Sequence, residues 1–368
     1  MPELNIRDFA KSITRLINKE NLTREEAFNA FSVILNNETS EMQQGAFLAA
    51  LSSKGETNQE IAGCWQAIYE MDTVKVSPNI SEPIVENCGT GMDSFKTFNI
   101  STCASLVAAA DGIHMARHGA RALTSICGTV DMAEALGVDV ECGAEMASKS
   151  LETSKLALFN GMSPTIHPNA LGRILSQISF GSTLNIAASL ASPVKADVGV
   201  RGVYSKDMII PVIEVMKEIG FKNAIVFNGG INNTALSIDE ASIAGTTHCA
   251  ELLGSGEIKE FSFTPEEVGL ETSAPESIAP LTDIATETQN VVSLIKGNEE
   301  GARMDAVALN AGLIFYVYGK TKSIKEGTQK ALDILKSGDA YNALISWVKA
   351  QNRQPADGLK KLDSIFRN

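Results

Sequence analysis

The sequence predicts an α/β protein: a large α/β domain with a mostly parallel central sheet, and a small helical domain beside it. Two observations carry this. Residues 1 to about 72 hold helical patterns only, and from Pro83 onward short apolar runs alternate with amphipathic helices. A third concerns residues 170–195, ALGRILSQISFGSTLNIAASLASPVK, which read as a second helical insertion between strands.

Taken in order, Thr23 with Glu26 makes a capping box, followed by a helical stripe at Ala27, Ala30, Phe31, Ile34 and Leu35. Ser40 with Gln43 and Thr57 with Glu60 repeat the start signal, and Ile61, Trp65 and Ile68 form the next buried face. The strand candidates are Ile84-Val85, Ile113 to Ala116, Leu156 to Phe159, Val198 to Val203 and Ala224 to Phe227. Between them Thr102 to Asp111, Met132 to Leu136 and Asp207 to Ile219 are expected as helices. Such alternation implies ligand sites at the carboxyl ends of the strands. Glu271 to Leu281, with two prolines, is expected as a surface loop. Val291 to Leu294, Ala302 to Tyr318, Ile324 to Leu335 and Tyr341 to Val348 then read as helical. No internal repeat or low-complexity tail is seen.

Composition narrows the function. At 368 residues and 44% hydrophobic content the chain suffices for one large and one small domain. Its longest apolar runs, such as Leu106 to Ala110, fall far short of the roughly 18 residues of a membrane helix. The start, MPELNIRDFAKS, has no signal-peptide core, so a cytoplasmic protein is expected. Six scattered cysteines without a CxxC pair read as reduced thiols, Cys127 included. A net charge of −13 counts against nucleic-acid binding. It leaves room for an anionic substrate if Arg117, His118, Arg121 and Arg173 form a local cationic cluster.

The stretch from Cys88 to Gly137 holds the chemistry. A glycine turn (GTGMD, Gly89 to Asp93), a small polar run at a helix start (NIST, Asn99 to Thr102) and a basic loop (RHGA, Arg117 to Ala120) follow in close order. Glycines let the backbone approach oxyanions, and free N–H groups at a helix start bind them. The hydroxyls of Ser101 and Thr102, the Asn99 amide and the Arg117 cation are placed to meet a multiply charged phosphate ligand. Both glycine and basic loops follow strands, so one sheet edge gathers them.

These motifs, with GTVD at Gly128 to Asp131, resemble in order and spacing the GTGGD, NIST, KHGN and GSAD signatures of the anthranilate phosphoribosyltransferase family. The resemblance extends over most of the chain, including the Asp239-Glu240 pair, FSFTPEEVGL (Phe261 to Leu270) and LNAGLIFYVYGK (Leu309 to Lys320). It implies a discontinuous helical domain (1–76 with 170–195) and an α/β domain (77–169 with 196–368) that binds phosphoribosyl pyrophosphate. It further implies a homodimer and Mg2+-dependent transfer of phosphoribose to an aromatic amine or heterocyclic nitrogen.

By that resemblance Gly89, Thr90, Gly91, Asn99, Ser101, Thr102 and Arg117 bind phosphoribosyl pyrophosphate. Asp93 either caps a helix or accepts a hydrogen bond from the ribose region. Thr124 and Ser125 either cap the next helix or bind phosphate oxygens. Ser101, Asp239 and Glu240 would hold magnesium, although Asn228 to Ile238 is longer than the family's link before the acidic pair. The acceptor pocket would comprise Met92, His118, Ala120, His167 and Arg173, with His118 bracing its loop. Met92 stands for a glycine, Ala120 for an asparagine, and no arginine stands in register after His167-Pro168, which points to a changed acceptor. A related nucleoside phosphorylase fits the NIST and HGAR loops less well. A non-catalytic homologue that binds a regulatory ligand or nucleic acid would need lost metal ligands and a basic stripe, and neither is seen.

Overall fold

The computed structural model describes residues 6–91, 93–122, 126–178 and 180–366; Met92, Thr124 and Ser125 lie outside the described residues. Helices α1 (Ile6–Ile17), α2 (Arg24–Leu35), α3 (Glu41–Lys54) and α4 (Asn58–Met71) come first. Then follow β1 (Ile84–Gly89), α5 (Ile100–Ala110), β2 (His114–Gly119), α6 (Thr129–Ala135), α7 (Ala144–Ser154) and β3 (Leu156–Asn160). Helices α8 (Leu171–Gln177) and α9 (Thr183–Leu190) precede β4 (Val198–Gly202), α10 (Ile209–Ile219) and β5 (Asn223–Gly230). Three short strands, β6 (Ser237–Ile238), β7 (Thr247–Leu252) and β8 (Ile258–Phe263), lead to the last helices. These are α11 (Ile284–Ile295), α12 (Ala302–Tyr318), α13 (Ile324–Ser337), α14 (Asp339–Ala350) and α15 (Pro355–Ser364).

The chain divides into two compact units. The helical unit comprises the described residues through Lys75 together with Gly161–Pro193. Its helices start as the sequence dictates: Thr23 and Glu26 exchange both bonds of a capping box, as do Thr57 and Glu60. Glu60 is fully buried because it is well partnered, accepting from Lys54 Nζ at 2.8 Å and from Leu22 N at 2.9 Å. Trp65 Nε1 donates to Leu190 O at 3.0 Å, tying α4 to the last residue of α9. The return segment begins earlier than the expected residue 170. The Asp72 carboxylate accepts from the backbone N–H groups of Asn169, Ala170 and Leu171 at 2.6–3.0 Å, which anchors residues 161–169 here rather than in the α/β unit.

The α/β unit is built on an eight-stranded sheet ordered β3-β2-β1-β4-β5-β7-β8, with β6 paired to β5. Strands β3 through β5 are parallel and coincide with the five predicted runs; β6, β7 and β8 add antiparallel pairings that the sequence did not announce. Helix α5 is apolar around nearly its whole circumference and buried throughout its middle, as a helix packed inside the unit must be. Helix α12 is its counterpart, with Val307, Leu309, Leu313, Ile314 and Phe315 fully buried. The 271–281 loop contains one 3-10 turn, Pro275–Ile278, and Ile278 is buried. Its carbonyl accepts from Phe98 N at 3.1 Å and so braces the approach to α5. Among the described residues no helix is long and apolar enough to cross a membrane.

Candidate active site

The carboxyl ends of β1, β4 and β5 terminate in Gly89, Gly202 and the Gly229-Gly230 pair. After β5 the chain makes a hairpin with β6, pairing Gly229 with Ile238 and Gly230 with Ser237. The hairpin absorbs the long 228–238 segment and returns Asp239 and Glu240 across the strand ends. Glycine is required there by close approach. A Cβ on Gly202 would lie 1.6 Å from Asp239 O, one on Gly89 2.2 Å from Asp239 Oδ2, and one on Gly229 2.3 Å from Glu240 O. Two buried asparagines hold the acidic loop. Asn228 Nδ2 donates to Val203 O (2.8 Å) and Ile238 O (3.3 Å). Asn310 of α12 both accepts from Ala241 N (2.9 Å) and donates to Ala241 O (3.1 Å).

The two consecutive acids each take one backbone donor. Asp239 Oδ2 accepts from Gly91 N at 2.6 Å, inside the turn that Gly91 makes with φ +72°. Glu240 Oε1 accepts from Ser101 N at 3.2 Å in the first turn of α5, where an anion suits the helix dipole. Burial first, and then the Asp93 charge, push the Asp239 carboxyl up to about 6. Burial and then Asp239 push Glu240 well above the carboxylate range. Burial also raises Asp93 against its Lys96 partner. Like charges crowded in a desolvated site produce this pattern.

Arg117 is not where a direct phosphate grip would put it. Its side chain is 2% exposed, lying behind α5, where Nη2 donates to Ser101 Oγ at 2.9 Å and Nη1 donates to Thr102 Oγ1. It therefore sets those hydroxyls rather than facing a ligand across solvent. Because Ser101 Oγ accepts from the guanidinium, its own proton is free to point elsewhere. Arg121 is equally committed, to Asp131, Glu134 and Glu141 at 2.8–3.2 Å. The expected cationic cluster is thus a set of internally paired cations.

The remaining predicted residues sort by what they touch. Asn99 occupies the N-cap position of α5, but its amide donates to Cys127 O at 3.1 Å instead of capping. Asp93 caps no helix; it accepts from Lys96 Nζ at 2.7 Å, and the same ammonium reaches Gly91 O at 3.1 Å. Thr90 is buried, and its N–H donates to Gly202 O. In the GTVD motif Asp131 Oδ2 accepts from Gly128 N and Ala122 N, so this motif braces the loop that carries Ala120. His118 is buried on β2, on the sheet face opposite Arg117 by strand alternation. His167 and Arg173 both bond within the helical unit. His167 Nδ1 lies 2.8 Å from Asp72 O, and Arg173 donates to Gln44 Oε1 (3.2 Å) and Ile34 O (2.9 Å). The six cysteines are free, and burial raises the Cys88 thiol to about 11 and the Cys103 and Cys127 thiols to about 12, leaving them protonated and inert.

Can these residues hold a magnesium ion? Among the described residues no three His, Cys, Asp or Glu side chains form a ready metal cage. Mg2+ does not need one: it keeps several waters and takes one or two carboxylates plus substrate phosphates. Asp239 and Glu240 supply two hard oxygen donors whose proton affinity is raised by burial first and by the crowding of like charge second. The donor set fits the ion. The sequence reading missed Lys96, Asn228, Asn310 and the strand-end glycines Gly202 and Gly229. Gly202 and Gly229 were signalled by glycines closing β4 and β5, and Asn310 by an asparagine within a largely apolar helix; Lys96 and Asn228 carried no such signal.

The chain matches the family described as "Glycosyl transferase family, a/b domain" over residues 81–341, and "Glycosyl transferase family, helical bundle domain" over residues 10–71. It is 34% identical to an anthranilate phosphoribosyltransferase of Listeria welshimeri over 341 residues, covering 92% of this chain and 97% of the relative. The corresponding enzyme of Methanothermobacter thermautotrophicus is 32% identical, with the same coverage. The crystal structure of the Thermus thermophilus anthranilate phosphoribosyltransferase superposes with a TM-score of 0.82 at 31% identity, covering 92% of this chain and 99% of that one. The Saccharomyces cerevisiae enzyme in complex with PRPP and Mg shares the fold, with a TM-score of 0.83 at 21% identity over 95% of this chain and 99% of that one. Similarity over nearly the full length of relatives more than 30% identical places this chain in the anthranilate phosphoribosyltransferase family.

Proposed function

We propose that the protein transfers phosphoribose from phosphoribosyl pyrophosphate to the amino nitrogen of anthranilate, in the presence of Mg2+, as a cytoplasmic homodimer of tryptophan synthesis. The observation that carries the reading is the docking of Asp239 and Glu240 on the glycine turn and the α5 start. It brings the acids that would hold a metal against the backbone donors that would receive an oxyanion. The acceptor nitrogen bonds to ribose C1, the bond from C1 to the pyrophosphate oxygen breaks with its electron pair, and the amine releases a proton. Bound magnesium would neutralise charge on the departing pyrophosphate. The chain's own part is to present Gly91 N–H, Ser101 N–H and the Ser101 hydroxyl fixed by Arg117 to that departing group, while the fully buried Thr102 hydroxyl anchors the guanidinium. Anthranilate is favoured as acceptor by the relatives' activity. The arguments for another acceptor rest on Met92, Ala120 and a missing cation, and they bear on affinity for the ring more than on the chemistry.

Steady-state assays with phosphoribosyl pyrophosphate, Mg2+ and anthranilate test this. A kcat/KM within the ~10⁴–10⁸ M⁻¹s⁻¹ of ordinary enzymes is expected. Turnover of another nitrogen heterocycle with none of anthranilate would replace the acceptor and keep the donor.

Arg117 offers a second check. Arg117→Met removes the donors that fix Ser101 and Thr102, each charge-assisted bond being worth about 1.5–3 kcal/mol. Calorimetry should show phosphoribosyl pyrophosphate bound at least about tenfold more weakly, with Arg117→Lys intermediate. Unchanged affinity in the methionine variant would mean that the hydroxyls need no such support.

A further inference from the structure

The sequence marks two backbone donors for phosphate, the glycine turn and the start of α5. In the structure both are occupied by the protein's own carboxylates. Gly91 N–H donates to Asp239 and Ser101 N–H to Glu240, at 2.6 and 3.2 Å. The occupants are neighbours in sequence, and their backbone is pinned by Asn228 and Asn310, so the two contacts form one device. The cations nearby do not offset them toward an incoming anion. Lys96 is on Asp93, Arg117 lies behind Ser101 and Thr102, and Arg121 is shared by three acids.

We infer that Asp239 and Glu240 determine specificity for metal-complexed over metal-free polyphosphate. A free anion such as inorganic pyrophosphate finds its hydrogen-bond donors taken and meets carboxylates instead. A polyphosphate that arrives with a divalent cation gives those carboxylates a better partner and frees the two N–H groups for its own oxygens. The same two side chains thereby exclude the wrong ligand and receive the right one. This rests on the proposed donor substrate, and it makes a claim that reading does not: removing an acid should create anion binding.

The test is calorimetry of inorganic pyrophosphate in EDTA, with no metal and no turnover. The parent is expected to bind feebly. Asp239→Ala and Glu240→Ala are expected to bind pyrophosphate at least tenfold more tightly than the parent, while Asp239→Asn and Glu240→Gln, which keep a neutral acceptor on Gly91 N–H and Ser101 N–H, gain less. Asp93→Asn is the control, because it removes a nearby charge that sits on Lys96 and on neither N–H group. An equal gain in Asp93→Asn would show general charge repulsion and overturn the inference. So would the absence of any gain in Asp239→Ala and Glu240→Ala when melting curves show both folded. If the parent also failed to bind phosphoribosyl pyrophosphate with Mg2+, the functional reading would fall, while the metal-free comparison would still be read.

Discussion

The double variant Asp239→Asn, Glu240→Gln is expected to lose turnover and gain stability together. The loss follows from removing the anionic oxygens that a hard cation prefers; Lewis-acid stabilisation of several kcal/mol corresponds to roughly a hundredfold or more in rate. The gain follows from the cost of ionising these groups where they sit. The Asp239 carboxyl titrates near 6 in the folded chain, against an ordinary 3.8. Keeping that carboxylate ionised at neutral pH therefore costs the folded state stability. Since the folded pKa is the higher one, the folded state holds the proton longer. The parent's stability therefore falls as pH rises from about 4 through 6, and Glu240, raised further still, carries the fall to higher pH. The amide pair lacks this slope. Denaturant unfolding in EDTA at pH 4, 5 and 7 should show the variant's advantage growing with pH. A variant that kept its activity would move the metal elsewhere, and one no more stable at pH 7 would mean that the acids are already neutralised by something in the chain.

Gly202→Ala should be the most damaging single methyl in the site. Its Cβ would sit 1.6 Å from the Asp239 carbonyl oxygen and 2.4 Å from the carbonyl carbon, both backbone atoms. Neither side yields easily. Strand β4 is paired on both edges, and the acidic loop is held by Asn228 and Asn310. Overpacking ordinarily costs 1–3 kcal/mol, and a clash between two fixed backbones belongs at about the upper end or beyond. Thermal melts should show a large drop, with turnover lost in whatever remains folded. Gly45→Ala is the contrast, since its Cβ in α3 meets nothing within 4 Å. There the helix preference for alanine should stabilise by up to about 1 kcal/mol. If both variants melted alike, the strand-end glycines would not be needed for space.

The helices and the parallel strands were legible because they are local facts. Thr23 with Glu26 and Thr57 with Glu60 announce helix starts within four residues, and five apolar runs became five buried parallel strands. Strands β7 and β8 were not legible. THCAEL and IKEFSF mix charge with apolar residues because they approach the sheet's edge, where one side need not be buried. In the site, the motif positions pointed to the right strand ends, but side-chain direction was beyond the pattern. Arg117 reads as a cation on a loop; strand alternation and the packing of α5 turn it inward onto Ser101 and Thr102. The link of 228–238 looked too long for its task until pairing with β6 gave it a shape. Asn310 shows the remaining gap, since its partner Ala241 lies 69 residues away and no local rule joins them.

That Asn310 bond divides the site by timescale. Ala241 N–H is clasped by a side chain on α12, a helix buried along almost its whole length, so this amide can meet solvent only when the core itself opens. Gly91, by contrast, is held through a partly exposed turn by an aspartate and by a lysine with a third of its side chain in water. Its opening needs a rotamer change and no loss of core packing. Hydrogen exchange at Ala241 would track global unfolding, while Gly91 would exchange through local fluctuation. The protein thus keeps the backbone beneath its acids on the slow clock of folding, and leaves the turn that faces them on the fast clock of side chains.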